Sequence, residues 1–242
     1  HYDMHFFGFQ DDNCAVGLVL AMAKAMKESG YQPENDIVFC LHGAEEWGAS
    51  YSQFDWTVGA WEMINHVHPE WVGKVIADLN FELPALAHGT RARIRSCYEY
   101  VRYLEEFLSN LPLLTQAYPE ETRITAPIET WSDDFSMAIA GIPSMVNDFT
   151  GGSFMETHYH SQFDNDDYYD EQVYRLHHEL FLLLICELDQ TAVVPLCFAP
   201  VMSRAGKFPG AEAAKGVLSK KLDVMKQYLK EAEKKAEQDY QK

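Results

Sequence analysis

The sequence predicts an α/β fold: a mainly parallel central sheet flanked by helices, with a C-terminal helical extension. Three observations predict it. Helix-like and strand-like stretches alternate from Cys14 to Gln190, the pattern of a sheet wrapped by helices. The segment Asp36-Ile-Val-Phe-Cys-Leu-His42 carries an unbroken apolar run, as a strand covered on both faces would. Polar clusters at 1–12, 45–46, 82 and 131–160 follow strands or occupy loops, where open α/β sheets gather their sites.

The elements follow in order. Cys14 to Ser29 reads as a helix rich in alanine, leucine and methionine, apolar nearly all round and so largely buried, with Gly30 at its C-cap. A turn with Pro33 and Asn35 leads into the 36–42 strand, which ends at Glu45-Glu46. Residues 52–65 are expected to be helical, and Trp71 to Asn80 to lead into a strand closing on Asn80-Phe-Glu82. Thr90 to Cys97 reads as a strand with Arg91, Arg93 and Arg95 on one exposed face. A helix over 98–110, a short strand near 122–125, a helix from the Trp131-Ser-Asp133-Asp134 region to Gly141 and a strand over 143–146 come next. Residues 151–167 read as a long polar loop, and Glu171 to Gln190 as an amphipathic helix.

Domain organisation follows from composition. Residues 1–190 form one domain, and the prolines at 195, 200 and 209 mark 191–210 as a linker. Residues 211–242 form a C-terminal helix, with Leu218, Leu222, Met225, Leu229 and Ala232 at spacings of four and three. That stripe suits packing on its own domain or a homodimer contact. The formal charge is −18, and ten of the nineteen Lys and Arg lie in 201–242, so the rest is more acidic still. Such a field disfavours nucleic acid and suits metal cations and a peptide's free amine. No apolar run is long enough to span a membrane. Five cysteines without C-x-x-C spacing read as reduced thiols, favouring a cytoplasmic address. His1 reads as mid-domain, with the strand that should present it lying upstream, so secretion stays open.

The chemistry is carried by a set of imidazoles and carboxylates at successive strand ends: His1, Asp3, Asp11, Glu45, Glu46, Glu82 and His160. Zinc takes these nitrogen and oxygen donors, and a zinc pair about 3.5–4 Å apart needs a bridging carboxylate. Two adjacent acids past a strand point different ways, so one can hold a metal while its neighbour faces a reacting water.

The motifs His1-Tyr-Asp3, Asp11-Asp12, Ala44-Glu45-Glu46-Trp-Gly48, Asn80-Phe-Glu82, Ser132-Asp133 with Gly141-Ile-Pro143, and Tyr159-His160-Ser161 with Asp164 stand in an order that resembles the family-28 zinc metallopeptidases. The resemblance covers residues 1 to about 190 and implies a zinc-exopeptidase fold with two zinc ions. It implies that Asp11 bridges the ions, that Glu46 and His160 complete one site, and that His1 and Glu82 complete the other. Asp12 is the rival to Asp11, and His158 the rival to His160. Asp3 would fix a ligand histidine and Asp133 would lie near the site as a supporting or substrate-facing residue. Glu45 is implied as general base and Tyr159 as an oxyanion donor. Three departures bear on substrate preference and on the second metal: Glu82 where the family has Asp, Cys14-Ala15 where it has Ser-Gly, and Asp134 where it has His. The expected activity is aminopeptidase action on peptides. A carboxypeptidase, a single-zinc glutaminyl-cyclase-like acyltransferase and a non-catalytic scaffold are the alternatives.

Overall fold

The computed structural model describes residues 1–49, 56–86, 93–111, 117, 118, 120, 123–147 and 152–205, and part of 223–238. Its sheet has four strands, β1 (Asp78–Asn80), β2 (Arg93–Ser96), β3 (Arg123–Thr125) and β4 (Ser144–Asn147), in the spatial order β1-β4-β2-β3. The β1–β4 and β2–β3 pairings are parallel, and β2–β4 is antiparallel. β4 is buried along its whole length, as its continuous Ser-Met-Val-Asn burial shows.

Helix α1 (Cys14–Ser29) ends at Gly30 in the left-handed conformation at φ 73°, as expected of a helix-stopping glycine. It buries one face only: Cys14, Ala15, Leu18, Val19, Met22 and Met26 recur at helical spacing, while Leu20 is 56% exposed. The expectation of all-round burial therefore fails, because a single neighbouring layer covers the helix. That layer includes α6 (Glu171–Gln190), whose Leu180, Phe181 and Leu184 join Leu18, Met22, Ile94, Leu104 and Met145 in the main core. Each such leucine or phenylalanine contributes about 1.5–3 kcal/mol by leaving water. Asp170 caps α6 by accepting the N–H groups of Gln172 and Val173, both at 3.0 Å.

A second, smaller core joins α2 (Val58–Glu62) to α4 (Asp133–Ala140) through Ala60, Ile64, Met137 and Ile142. Residues 52–55 of the helix expected over 52–65 lie outside the described residues, and α2 passes into a wider turn over Met63–Val67. Helix α3 (Val101–Ser109) packs Leu104, Phe107 and Leu108 into the main core. The region expected as a polar loop over 151–167 holds a short helix, α5 (Ser153–Thr157), anchored by buried Phe154; Gly151 lies outside the described residues.

Two further expectations are corrected. Residues 36–42 form no strand, and among the described residues 36–41 make no backbone–backbone hydrogen bond. Val38 is 59% exposed, because a cavity of about 590 Å³ separates this segment from the edge strand β1 and removes the covering that an apolar run anticipates. Arg95, expected on an open face, is buried and pairs with Glu129 at 3.6 Å; Arg91 lies outside the described residues. Within 191–210, α7 (Ala199–Ala205) is helical, and residues 206–210 lie outside the described residues. Cys197 N–H donates to Glu99 O at 2.8 Å and the Arg204 guanidinium sits 4.6 Å from the Tyr98 ring centre, so residues 197–204 pack on the domain. The described positions between 223 and 238 are helical, but the stripe Leu218, Leu222, Met225, Leu229 and Ala232 lies outside the described residues.

Candidate metal centre

The site forms where β1 and β4 end together, since Asn80 pairs with Val146 in register. Glu82 follows β1, and Asn147 at the end of β4 holds its main chain from both sides. Asn147 Oδ1 accepts Glu82 N–H at 2.8 Å, and Asn147 Nδ2 donates to Glu82 O at 2.6 Å. Residues 1–3 run beside 42–46: Tyr2 N–H donates to His42 O at 2.8 Å, and the Asp3 carboxylate accepts the N–H groups of Glu45 and Glu46 at 3.1 and 3.2 Å. That loop is seated on the start of α2 through Thr57 N–H to Glu45 O (2.8 Å) and Val58 N–H to Ala44 O (2.9 Å). The seat requires Gly59, where a β-carbon would stand 1.9 Å from the Gly43 carbonyl oxygen.

Into this frame the chain brings four of the predicted ligands around Asp11. His1 Nε2 lies 3.3 Å from Asp11 Oδ1, 3.6 Å from Glu82 Oε2 and 3.7 Å from Glu45 Oε2. His160 Nε2 lies 3.2 Å from Asp11 Oδ2 and 3.0 Å from Glu46 Oε2. One oxygen of Asp11 thus faces each histidine. The His1 Nδ1 atom is 2.9 Å from Asp3 O, which leaves Nε2 as the nitrogen turned to the acids.

Burial makes the cluster electrostatically costly. It pushes the Glu45 carboxyl up to about 11, with the Glu82 charge adding to the rise, and it pushes Glu46 and Glu82 in the same direction. Burial opposes charge on His1 too, yet the Glu82 charge and the hydrogen bonds to Asp11 and Asp3 hold its imidazolium far above the ordinary histidine range. For Asp11 burial is likewise outweighed, by His1 and His160, and its carboxyl stays well below the usual range. A cation held among these carboxylates would offset that cost.

The rivals separate cleanly. Asp12 turns away to bind main chain, accepting Leu83 N–H at 3.1 Å and the His1 main-chain nitrogen at 3.2 Å. His158 faces Asp167 at 3.4 Å, outside the acid cluster. Asp133 is buried opposite His42, 3.3 Å from its Nδ1, rather than among the ligands. That pairing, against the pull of burial, raises His42 to about 10. Tyr159 stacks on His160 with ring centres 3.8 Å apart, and its hydroxyl, pushed up by burial and then by Asp11, keeps its proton. Burial, with Asp78 and Glu82 nearby, pushes Asp134 well up as well.

Two participants escaped the sequence reading. Ser132, quoted there only as a motif residue, accepts Asn80 Nδ2 and Asp133 N–H, both at 2.6 Å, and donates to Glu82 Oε1. His5 places Nε2 3.3 Å from Glu46 Oε2. Its only sequence signal was a second histidine four residues after His1.

The residues fit zinc. Zinc–ligand distances near 2.0–2.1 Å put neighbouring ligand atoms of a tetrahedral site about 3.3–3.4 Å apart. The histidine–carboxylate separations among the predicted ligands run from 3.0 to 3.6 Å. Asp11 Oδ2 and Glu46 Oε1 are buried without a hydrogen-bond partner among the described residues, as oxygens reserved for a cation would be.

The profile of Peptidase family M28 matches residues 1–185. Among curated proteins none matches the chain. The fold is similar to that of the LapA aminopeptidase of Legionella pneumophila, with TM-score 0.62, 16% identity, and coverage of 79% of this chain and 49% of that one. It is similar also to BSAP, a zinc aminopeptidase from Bacillus subtilis (TM-score 0.60, 16% identity, 83% and 48% coverage). A glutaminyl cyclase of Porphyromonas gingivalis shares it less fully (TM-score 0.53, 17% identity, 75% and 66% coverage). The chain spans about half the length of the two aminopeptidases. With three quarters of its residues under one family profile, and that family's motifs converging on one buried cluster, the chain belongs to peptidase family M28.

Proposed function

We propose that this chain is the catalytic part of a two-zinc aminopeptidase that removes the first residue of peptides. The observation that supports it best is Asp11, whose two oxygens face His1 and His160 at 3.3 and 3.2 Å. In this reading Asp11 is shared between two metals, Glu46 and His160 complete one site, and His1 and Glu82 the other. Bound zinc supplies Lewis acidity and a water of lowered pKa.

The chain's own residues do the rest. Glu45, buried beside His1 and with its main-chain carbonyl accepting the Thr57 N–H, takes the proton from the attacking water and returns it to the leaving amine. Tyr159 keeps its hydroxyl proton and donates to the developing oxyanion. The negative charge around the site attracts a substrate's free amine.

The test is metal content by elemental mass spectrometry on the intact protein, paired with the products from a free and an N-acetylated peptide. Two zinc ions per chain, with release of the first residue from the free peptide alone, are expected. One zinc with cyclisation of an N-terminal glutamine would replace this reading with an acyltransferase. Trimming of the blocked peptide from its other end would make the protein a carboxypeptidase.

A further inference from the structure

We infer that His5 is an additional ligand to the metal shared by Glu46 and His160, an inference that rests on the two-metal reading above. His5 Nε2, a Glu46 carboxylate oxygen and a His160 ring nitrogen all lie within 4.8 Å of one another. The same Glu46 Oε2 is 3.3 Å from His5 Nε2 and 3.0 Å from His160 Nε2, so both imidazoles converge on one oxygen from different sides. Three donors so placed enclose a cation-sized space.

The ring is held there by the chain's path. Phe6 and Gly8 both take left-handed φ values, 56° and 49°, which curl residues 4–8 back over the acids. At Gly8 a β-carbon would stand 2.5 Å from Asp11 O, so the curl presses against the main chain that carries the bridging carboxylate. Asn13 staples the loop by donating to Phe7 O at 3.1 Å and Gly8 O at 2.9 Å. His5 then rests against the His160 ring (centres 4.5 Å apart) and the Trp47 ring (5.5 Å). A fixed, partly shielded imidazole with its nitrogen on a buried carboxylate is placed as a ligand is placed.

The consequence is that the two metal positions differ. With His5, Glu46 and His160 grouped together and Asp11 Oδ2 3.2 Å from His160 Nε2, one position would have four protein donors, the count of a closed site. The other, with His1, Asp11 and Glu82, has three and keeps a place for the reacting water beside Glu45.

The test uses Co(II) as a spectroscopic probe on the intact protein, in wild type, His5→Ala and His5→Cys. Wild type is expected to bind two ions. His5→Ala should lose about 100-fold or more in affinity at one of them, measured by chelator competition, with the visible bands of that ion altered. His5→Cys should recover affinity and show a thiolate-to-cobalt charge-transfer band, which arises only from a directly coordinated sulfur. Two ions in wild type with unchanged affinities in His5→Ala would overturn the inference and leave the two-metal reading standing. Weakened binding in His5→Ala without the thiolate band in His5→Cys would overturn it too, making His5 a neighbour rather than a ligand. Wild type binding no metal would remove both.

Discussion

Asp164 grips the main chain of Asp11: its Oδ2 accepts the Asp11 N–H at 3.0 Å while its Oδ1 accepts that of Gln10 at 2.9 Å. The carboxylate never touches a metal donor, yet it aims one. Asp164→Ala leaves two buried N–H groups unmet and is expected to cost about 2–4 kcal/mol of stability. It should also weaken metal binding by about 10–100-fold. Denaturant unfolding and chelator competition measure the two effects separately, and unchanged affinity would mean that Asp11 is held by other means.

Glu45→Gln keeps the shape of the side chain and the backbone bonds that seat the loop. Metal content should stay at the wild-type level while turnover falls by about 10²–10⁴. Parallel measurement of zinc per chain and kcat checks this, and full activity would remove Glu45 from the mechanism.

The Ser132 hydroxyl serves three partners at once, as cap of α4, acceptor for Asn80 and donor to Glu82. Ser132→Ala is expected to cost about 1 kcal/mol through the lost cap. Its more telling effect falls on Glu82: one of the two metals should be stripped at a lower chelator concentration than in wild type. Equal loss of both metals would argue against separate sites.

A pH effect is expected away from the metals. Asp189 accepts from the Tyr31 hydroxyl at 2.6 Å and from the N–H groups of Glu34 and Asn35 at 3.1 and 2.8 Å. Burial works against its charge, but these donors, Tyr31 first, bring its pKa down to about 2. A depressed carboxyl contributes stability that is full above its unfolded value near 4 and disappears as pH falls through 2. Asp189→Asn should therefore be less stable than wild type at neutral pH, with the gap closing between pH about 4 and 2. Melting curves across that range test it, and a constant gap would refute it.

What the sequence made legible was what short-range chemistry determines. Gly30 and Gly141 stop their helices in left-handed conformations, and the motif residues Asp11, Glu46, Glu82 and His160 meet around His1, Glu82 directly after β1 and the others on loops. His5 was hidden because its position depends on two left-handed turns, at Phe6 and Gly8, and on the Asn13 staple. Burial of Arg95 and exposure of Val38 were misjudged for a common reason: a strand's pattern tells which residues share a face, not what covers that face. Asp12 and Asp11 are identical in type, and only the direction of the main chain decides that one holds Leu83 and the other faces the histidines.

The cavity between residues 36–42 and β1 has a consequence for handling the protein. One of its walls is β1, the outermost strand among the described residues, and the other is residues 36–41, whose amides and carbonyls have no backbone partner among the described residues. Unpaired donors and acceptors along an apolar run recruit any strand that comes near. Self-association should begin there on heating, before the core around Leu184 opens. Val38→Lys, which places a charge on a residue already facing solvent, should raise the temperature at which light scattering sets in while leaving metal content unchanged. The same onset in both proteins would place the sticky surface elsewhere.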